Sequence, residues 1–338
     1  MSKVCIAGAG SWGLALALVL EKNGHEVTVW SALPEEIRLL KEEHENKRCL
    51  PGVIIPQTIR LTDKLDEAVA DKDVIVMAVA SPYTRATAAK LAPYIKDGQI
   101  IVDVAKGIEE KSLHTLSQVI KDELPTAQVA VLSGPTHAEE VSRFIPTTCV
   151  IGAEAEETAC FLQNLFMNEN FRIYTSSDVL GIELGGSLKN VIALAAGIAD
   201  GLGYGDNTKA ALITRGIHEI SRLGVAMGGR LQTFYGLTGM GDLIVTCASM
   251  HSRNRRAGIL MGQGKSMQEA MDEVNMVVEG VYSAKAAASL AKKYDVPMPI
   301  VEEINRILFE GKDPKKAVDD LMLRESKIEN SSLLWEKE

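Results

Sequence analysis

Through the first half of the chain, apolar residues come in short, nearly continuous runs. "KVCIA" (3–7), "HEVTVW" (25–30), "DVIVMAV" (73–79), "QIIVDV" (99–104), "QVAVL" (128–132) and "TTCVIG" (147–152) are each too short for a helix. Such runs predict strands covered on both faces. Helical patterns lie between them. One runs from Ser11 to Asn23 and stops at Gly24; another, "PEEIRLLKEE", opens with a proline and two acids in its first turn. Strands alternating with helices predict a parallel, doubly wound α/β sheet. After "FRIYTS" (171–176) the strand-like runs cease, and long helical patterns follow at 178–203, 207–227, 253–262, 266–273, 281–293 and 298–310. The expectation is a mostly parallel sheet domain over residues 1–180, followed by an all-helical domain over 181–338. The boundary falls near 178–186 without a Pro- or Ser-rich linker, so the two are expected to pack directly.

Composition narrows the partners. The 338 residues hold 36 Lys plus Arg against 45 Asp plus Glu, a formal net charge of −9. An acidic chain is a poor match for nucleic acid or an anionic membrane, so a small-molecule ligand is expected. Five cysteines, an odd number with no CxxC pair, suit a reducing cytoplasm. "HEIS" (218–221) lacks the second histidine of HExxH, so no metal site is expected. "MSKVCIAGAGSWGLALALVL" superficially resembles a signal peptide, but its three spaced glycines and the onward strand fit folded structure better. No apolar run reaches 18 residues without a charge, so no membrane insertion is expected and a cytoplasmic location is.

The strongest local motif is "GAGSWG" (8–13), which follows a strand and opens a helix. In that context it reads as the Rossmann-like dinucleotide fingerprint: Gly8 for the turn, Gly10 for pyrophosphate approach, Gly13 for helix–sheet closure. "GQGKS" (262–266) mimics the end of a P-loop, but Ile259 stands where the earlier glycine belongs. After the second strand the chain reads "WSALPEE", with neither an acid at the tip to favour NAD nor a basic residue there to favour NADP. Arg38, Lys47 and Arg48 lie within reach, each equally well placed as a solvated charge. Cofactor choice stays open.

Two lysines stand in unusual company. Lys106 directly follows an apolar strand, at the edge where such folds bind ligands; Lys189 sits in a nearly all-apolar helix beside Gly185 and Gly186. Lys189 is either a snorkelling core lysine or a desolvated proton carrier, with the glycines clearing space for a ligand. Asp242, in "LTGMGDLIVTC", is either a helix N-cap or the anchor of a catalytic ammonium. "HSRNRRAG" (251–258) is either a solvated helix start or an anion site, in which Ser252 caps a helix whose N–H groups join Arg253 around a phosphate.

Taken in order, "GAGSWG", "AKGIE", "SGPTHAEEV", "ELGGSLKNVIALAAGIADGLG", "GMGDLIVTC", "SRNRRAG" and "VEGVYSAK" resemble, across nearly the whole chain, the bacterial-type NAD(P)-dependent glycerol-3-phosphate dehydrogenases. The resemblance implies reversible reduction of dihydroxyacetone phosphate to sn-glycerol 3-phosphate, a precursor of phospholipid backbones, with NAD or NADP as cofactor. It implies Lys189 as general acid/base, with Lys106 and Asp242 as electrostatic partners and substrate contacts. Gly134 and Thr136 would touch substrate, while Ser252, Arg253 and Asn254 would hold its phosphate. Cofactor contacts would come from Gly8, Gly10, Ser11, Trp12, Gly13, Lys106, Ala138, Arg253, Val277 and Glu279. Arg255 and Arg256 fall to structure or surface, and a homodimer is expected. Many members carry a basic residue shortly after the tryptophan of the second strand; Ser31, Ala32 and Leu33 stand there instead, which leaves NADP preference in doubt. Two rivals remain: a ketopantoate-reductase-like enzyme acting on another small oxo-acid, and an NAD(H) sensor that performs no chemistry.

Overall fold

The short apolar runs of the first half become one sheet. In the computed structural model, which describes residues 1–326, 328 and 329, eight strands lie in the order β3-β2-β1-β4-β5-β6-β7-β8. They are β1 (Lys3–Ala7), β2 (Glu26–Trp30), β3 (Arg60–Thr62), β4 (Val74–Met77), β5 (Ile100–Asp103), β6 (Gln128–Ser133), β7 (Thr147–Gly152) and β8 (Phe171–Ser176). Every pairing is parallel except β6 with β7. That reversal matters for the site. The antiparallel pair leaves residues 134–146 at the carboxyl edge of the sheet, where a helical crossover would have carried the chain away.

Two strands depart from the doubly covered pattern. β3 is a three-residue edge strand beginning with exposed Arg60, too short and too polar to register as an apolar run. β8, at the other edge, alternates buried Phe171 and Ile173 with exposed Arg172 and Tyr174, as a strand with one solvated face does.

A 23-residue helix, Val179–Gly201, follows β8 and forms the axis of the helical half, buried from Gly181 through Ala199. It is long and apolar enough to cross a membrane by composition alone, but 89% of its most apolar window is covered by the rest of the fold. The helices Asp206–Ala226, Arg253–Gly262, Met267–Val274, Glu279–Lys293 and Pro299–Glu310 match the expected patterns to within two residues. Two further segments have no such pattern. Gly236, Gly239 and Gly241 break the periodicity ahead of the helix Asp242–Ala248, and the helix Pro314–Met322 buries only Ala317.

Glycine sets the closest packing in this half. A Cβ on Gly197 of the central helix would lie 2.1 Å from the Arg255 carbonyl oxygen, and one on Gly258 would lie 2.2 Å from that of Leu194. Gly201 and Gly262 repeat the contact one turn on. Backbone therefore rests on backbone, and the helix Arg253–Gly262 is fixed in position against the helix that holds Lys189.

Candidate active site

The loops leaving the carboxyl edge of the sheet meet the helical half in one cleft. Its sheet-side wall is Gly10–Trp12 after β1, Ala78–Ala80 after β4, Val104–Lys106 after β5 and Thr136–Glu139 after β6. Opposite stand Lys189, Asn190, Thr246, the run His251–Asn254, Arg256, Met276 and Glu279.

At the glycine loop, Gly8 has φ +131°, and a Cβ there would lie 2.6 Å from the Ala78 carbonyl oxygen. At Gly13 it would lie 2.1 Å from the Gly8 carbonyl oxygen, whereas at Gly10 it would meet nothing within 4 Å. The helix Ser11–Lys22 starts there with no side-chain cap and no acid in its first turn. Its first N–H groups and partial positive charge stay available to an anion, which fits a dinucleotide pyrophosphate.

The tip of β2 differs from the sequence expectation. The carboxyl group of Glu36, five residues on, folds back and accepts a hydrogen bond from Ser31 Oγ at 2.6 Å. Asn46 Nδ2 donates to the other Glu36 oxygen at 3.4 Å and to the carbonyl of Ala9 in the glycine loop at 3.3 Å. An acid thus stands at the tip after all, supplied by the following helix. Arg38 is tied to Glu35 and Glu42, and Lys47 to Glu43.

The centre of the cleft is a buried charge cluster. Lys189 Nζ lies 2.5 Å from Asp242 Oδ1 and 2.6 Å from Thr246 Oγ1; Lys106 Nζ lies 2.7 Å from Asp242 Oδ2 and 2.9 Å from the Gly134 carbonyl. Asp242 has its helix N-terminal position, but its carboxylate anchors ammonium groups rather than capping the helix. Burial lowers the Lys189 pKa, only partly offset by Asp242 and reinforced by Lys106, bringing it to about 8. Burial raises that of Asp242, yet the two ammoniums outweigh it and hold the carboxyl below its usual range. The snorkelling reading of Lys189 does not fit, since the residue is 5% exposed and its head is engaged inside the protein.

One expectation is corrected. Gly185 and Gly186 do not clear space for a ligand. A Cβ on Gly185 would meet the Thr238 carbonyl at 2.9 Å, and one on Gly186 would meet Ser133 Oγ at 2.9 Å. The glycines admit the segment that positions Asp242, and the wall that holds Lys106.

At the other end, Ser252 caps the helix Arg253–Gly262 by accepting from the Arg255 N–H at 3.2 Å. The N–H groups of Arg253 and Asn254 take no partner among the described residues. Arg253 is half-buried, faces the cleft and forms no ion pair among the described residues. Arg255 is structural: it binds Asp200 Oδ2 at 2.8 Å and the Ala248 carbonyl at 2.8 Å. Arg256 stands exposed at the rim. The Asn254 side chain is largely committed, donating to Asn190 Oδ1 and accepting from the Gly280 N–H.

Among the remaining expected contacts, Ala138 and Glu279 line the cleft, while half-buried Val277 does not and its neighbour Met276 does. Glu279 also crosses between the halves, accepting from Ser81 N–H at 3.3 Å and from Ser81 Oγ. Burial pushes its carboxyl up despite those bonds. His137, Asn190 and His251, not singled out in the sequence, line the cleft as well. A histidine in a loop just after an apolar strand was the available signal for His137.

A doubly wound sheet with an open glycine loop, meeting a buried ammonium cluster at its carboxyl edge, defines a dinucleotide-dependent oxidoreductase with a helical second half. Family models described as the N-terminus and C-terminus of NAD-dependent glycerol-3-phosphate dehydrogenase match residues 3–159 and 178–319. A glycerol-3-phosphate dehydrogenase [NAD(P)+] of Agathobacter rectalis is 64% identical over 335 residues, covering 99% of this chain and 100% of that one. Its counterpart in Fusobacterium nucleatum is 60% identical, covering 98% and 100%. The crystal structure of glycerol-3-phosphate dehydrogenase from Coxiella burnetii is 36% identical, with a TM-score of 0.93 over 96% of this chain and 99% of that one. The chain belongs to the NAD-dependent glycerol-3-phosphate dehydrogenase family. It is an oxidoreductase whose cofactor is NAD or NADP.

Proposed function

We propose that the chain catalyses the reversible reduction of dihydroxyacetone phosphate to sn-glycerol 3-phosphate, with Lys189 as the proton carrier. The observation that carries this reading is the sharing of Asp242 by two ammonium groups at the carboxyl edge of the sheet. An ammonium has three donors. Lys189 spends two on Asp242 and Thr246, and Lys106 spends two on Asp242 and Gly134, so each keeps one for a ligand in the cleft. A reduced nicotinamide, when bound, supplies the hydride for the carbonyl carbon. Lys189 gives its proton to the carbonyl oxygen as charge develops there, and in reverse accepts the alcohol proton. Lys106 stabilises the same oxygen electrostatically. Asp242 holds both heads in place, and Arg253, with the free N–H groups of its helix, takes the phosphate.

The glycine loop, with Ser11, Trp12, Ala138 and Glu279, holds the cofactor. Glu36, held by Ser31 at the tip of β2, would accept from the adenosine ribose hydroxyls and repel a 2′-phosphate, a combination that favours NADH as reductant. The sheet domain spans 1–180 and the helical domain 181–338, whose last residues lie outside those described. The enzyme acts as a cytoplasmic homodimer supplying glycerophospholipid synthesis, a location in keeping with four buried thiols, Cys5, Cys49, Cys149 and Cys247. The test is spectrophotometric: purified protein with dihydroxyacetone phosphate and NADH or NADPH in separate cuvettes. Oxidation of either cofactor supports the reading, and none with either refutes it.

A further inference from the structure

The triose phosphate of the reading above, on which this inference rests, presents three polar ends. The phosphate falls to Arg253 and the carbonyl oxygen to Lys189. Of the other expected substrate contacts, Thr136 Oγ1 already donates to the Gly134 carbonyl, which also accepts from Lys106, and none has been matched to the terminal hydroxyl.

His137 has the complementary lack. It sits in the loop after β6, immediately before the short helix Ala138–Val141, and lines the cleft with Lys106, Thr136 and Lys189. Its Nε2 is buried and has no hydrogen-bond partner among the described residues. A buried, unpaired ring nitrogen is costly, and a native fold retains one chiefly where something outside the chain meets it. The ring of His251 lies beside it, with centroids 5.7 Å apart and planes tilted by 56°, yet no hydrogen bond joins His137 Nε2 to it among the described residues. Burial, followed by the ammonium of Lys189, disfavours the imidazolium form. A neutral ring keeps one donor and one acceptor, the pair that suits a hydroxyl rather than a phosphate or a carboxylate.

We propose that His137 Nε2 binds the terminal hydroxyl of the triose phosphate and makes the enzyme selective for a hydroxymethyl ketone over a methyl ketone. A site built around a hydrogen bond to a substrate hydroxyl rejects an analogue lacking it, because the enzyme group is then buried unpaired.

The test compares kcat/KM for dihydroxyacetone phosphate and for hydroxyacetone phosphate, which carries a methyl group in place of the hydroxymethyl. The enzymes are the wild type, His137→Phe and His137→Asn, each with a thermal unfolding scan. The preference for the hydroxylated substrate is expected to fall by about tenfold or more in His137→Phe, chiefly through loss of the hydroxylated substrate's rate, with His137→Asn in between. An unchanged ratio in folded variants overturns the inference, including the case in which both substrates slow equally, since that marks a role in loop shape alone. If His137→Phe does not fold, the ratio in His137→Asn decides in the same way. A wild type inactive on dihydroxyacetone phosphate with either cofactor fails the underlying reading instead, and the inference falls with it.

Discussion

Lys106 and Lys189 are joined by a single carboxylate: they hold opposite oxygens of Asp242, at 2.7 and 2.5 Å. Asp242→Asn would turn one acceptor into a donor facing an ammonium. The variant is expected to lose at least about a hundredfold in kcat and to unfold more easily, by roughly 3 kcal/mol, because a buried charge loses its partner. Steady-state kinetics and denaturant titration measure the two effects. Near-normal turnover in Asp242→Asn would remove the carboxylate from the mechanism.

A buried ammonium with a pKa of about 8 gives the two directions opposite pH responses. On the proposed mechanism ketone reduction needs the protonated amine, so its kcat/KM is expected to hold below about pH 8 and fall above it. Alcohol oxidation needs the free amine and is expected to rise over the same interval. Lys189→Ala should lose about 10²- to 10⁴-fold in turnover while still quenching or enhancing NADH fluorescence on binding. Profiles that move together in both directions would point to a different group.

Arg253 faces the cleft without an ion pair among the described residues. Its replacement by alanine should therefore raise the KM for the phosphorylated substrate about 10- to 100-fold, the range of a charge-assisted hydrogen bond. The melting temperature should stay within a degree or two. Unchanged kinetics would assign phosphate binding elsewhere on the wall.

Glu36 is held at the tip of β2 by Ser31. Glu36→Gln should weaken NADH and improve NADPH, so the ratio of their kcat/KM values shifts by about tenfold. Ser31→Ala should act in the same direction with a smaller amplitude, because it releases Glu36 without removing it. A ratio indifferent to both changes would leave Glu36 as a loop brace.

Gly197→Ala would drive a methyl group into the Arg255 carbonyl, 2.1 Å from the ideal Cβ. The cost is expected to exceed about 3 kcal/mol. The displaced helix also carries Arg253, so the KM for the phosphorylated substrate should rise with the loss of stability, unlike a mutation at a remote core site.

Much of this was legible in the residues, and the limits are specific. Apolar runs located seven of the strands or strand-like segments, but hydrophobicity carries no direction, so the reversal between β6 and β7 could not be read from it. β3 was too short and too polar to appear. The lysines, Asp242 and the arginine segment were each visible, but the sharing of one carboxylate joins residues 136 and 53 positions apart. Glu36 escaped notice because its carboxyl reaches the tip only through the turn of the following helix. Gly185 and Gly186 were noticed for a sound reason, the rarity of paired glycines within a helix, but the space beside them belongs to Thr238 and Ser133.

The Lys106–Asp242 pair crosses from the sheet half to the helical half, so a change in the backbone on either side of it is expected to be felt on the other. Substitutions on the outer surface of either half are expected to act independently, whereas those in the loop after β5 and in the π-helical segment Leu237–Gly241 are expected to act on each other. A chimera joining the first half of one such dehydrogenase to the second half of another takes Lys189 and Asp242 together from the second parent and Lys106 from the first. It regains the second ammonium on the shared carboxylate only when the two parents agree on that distance.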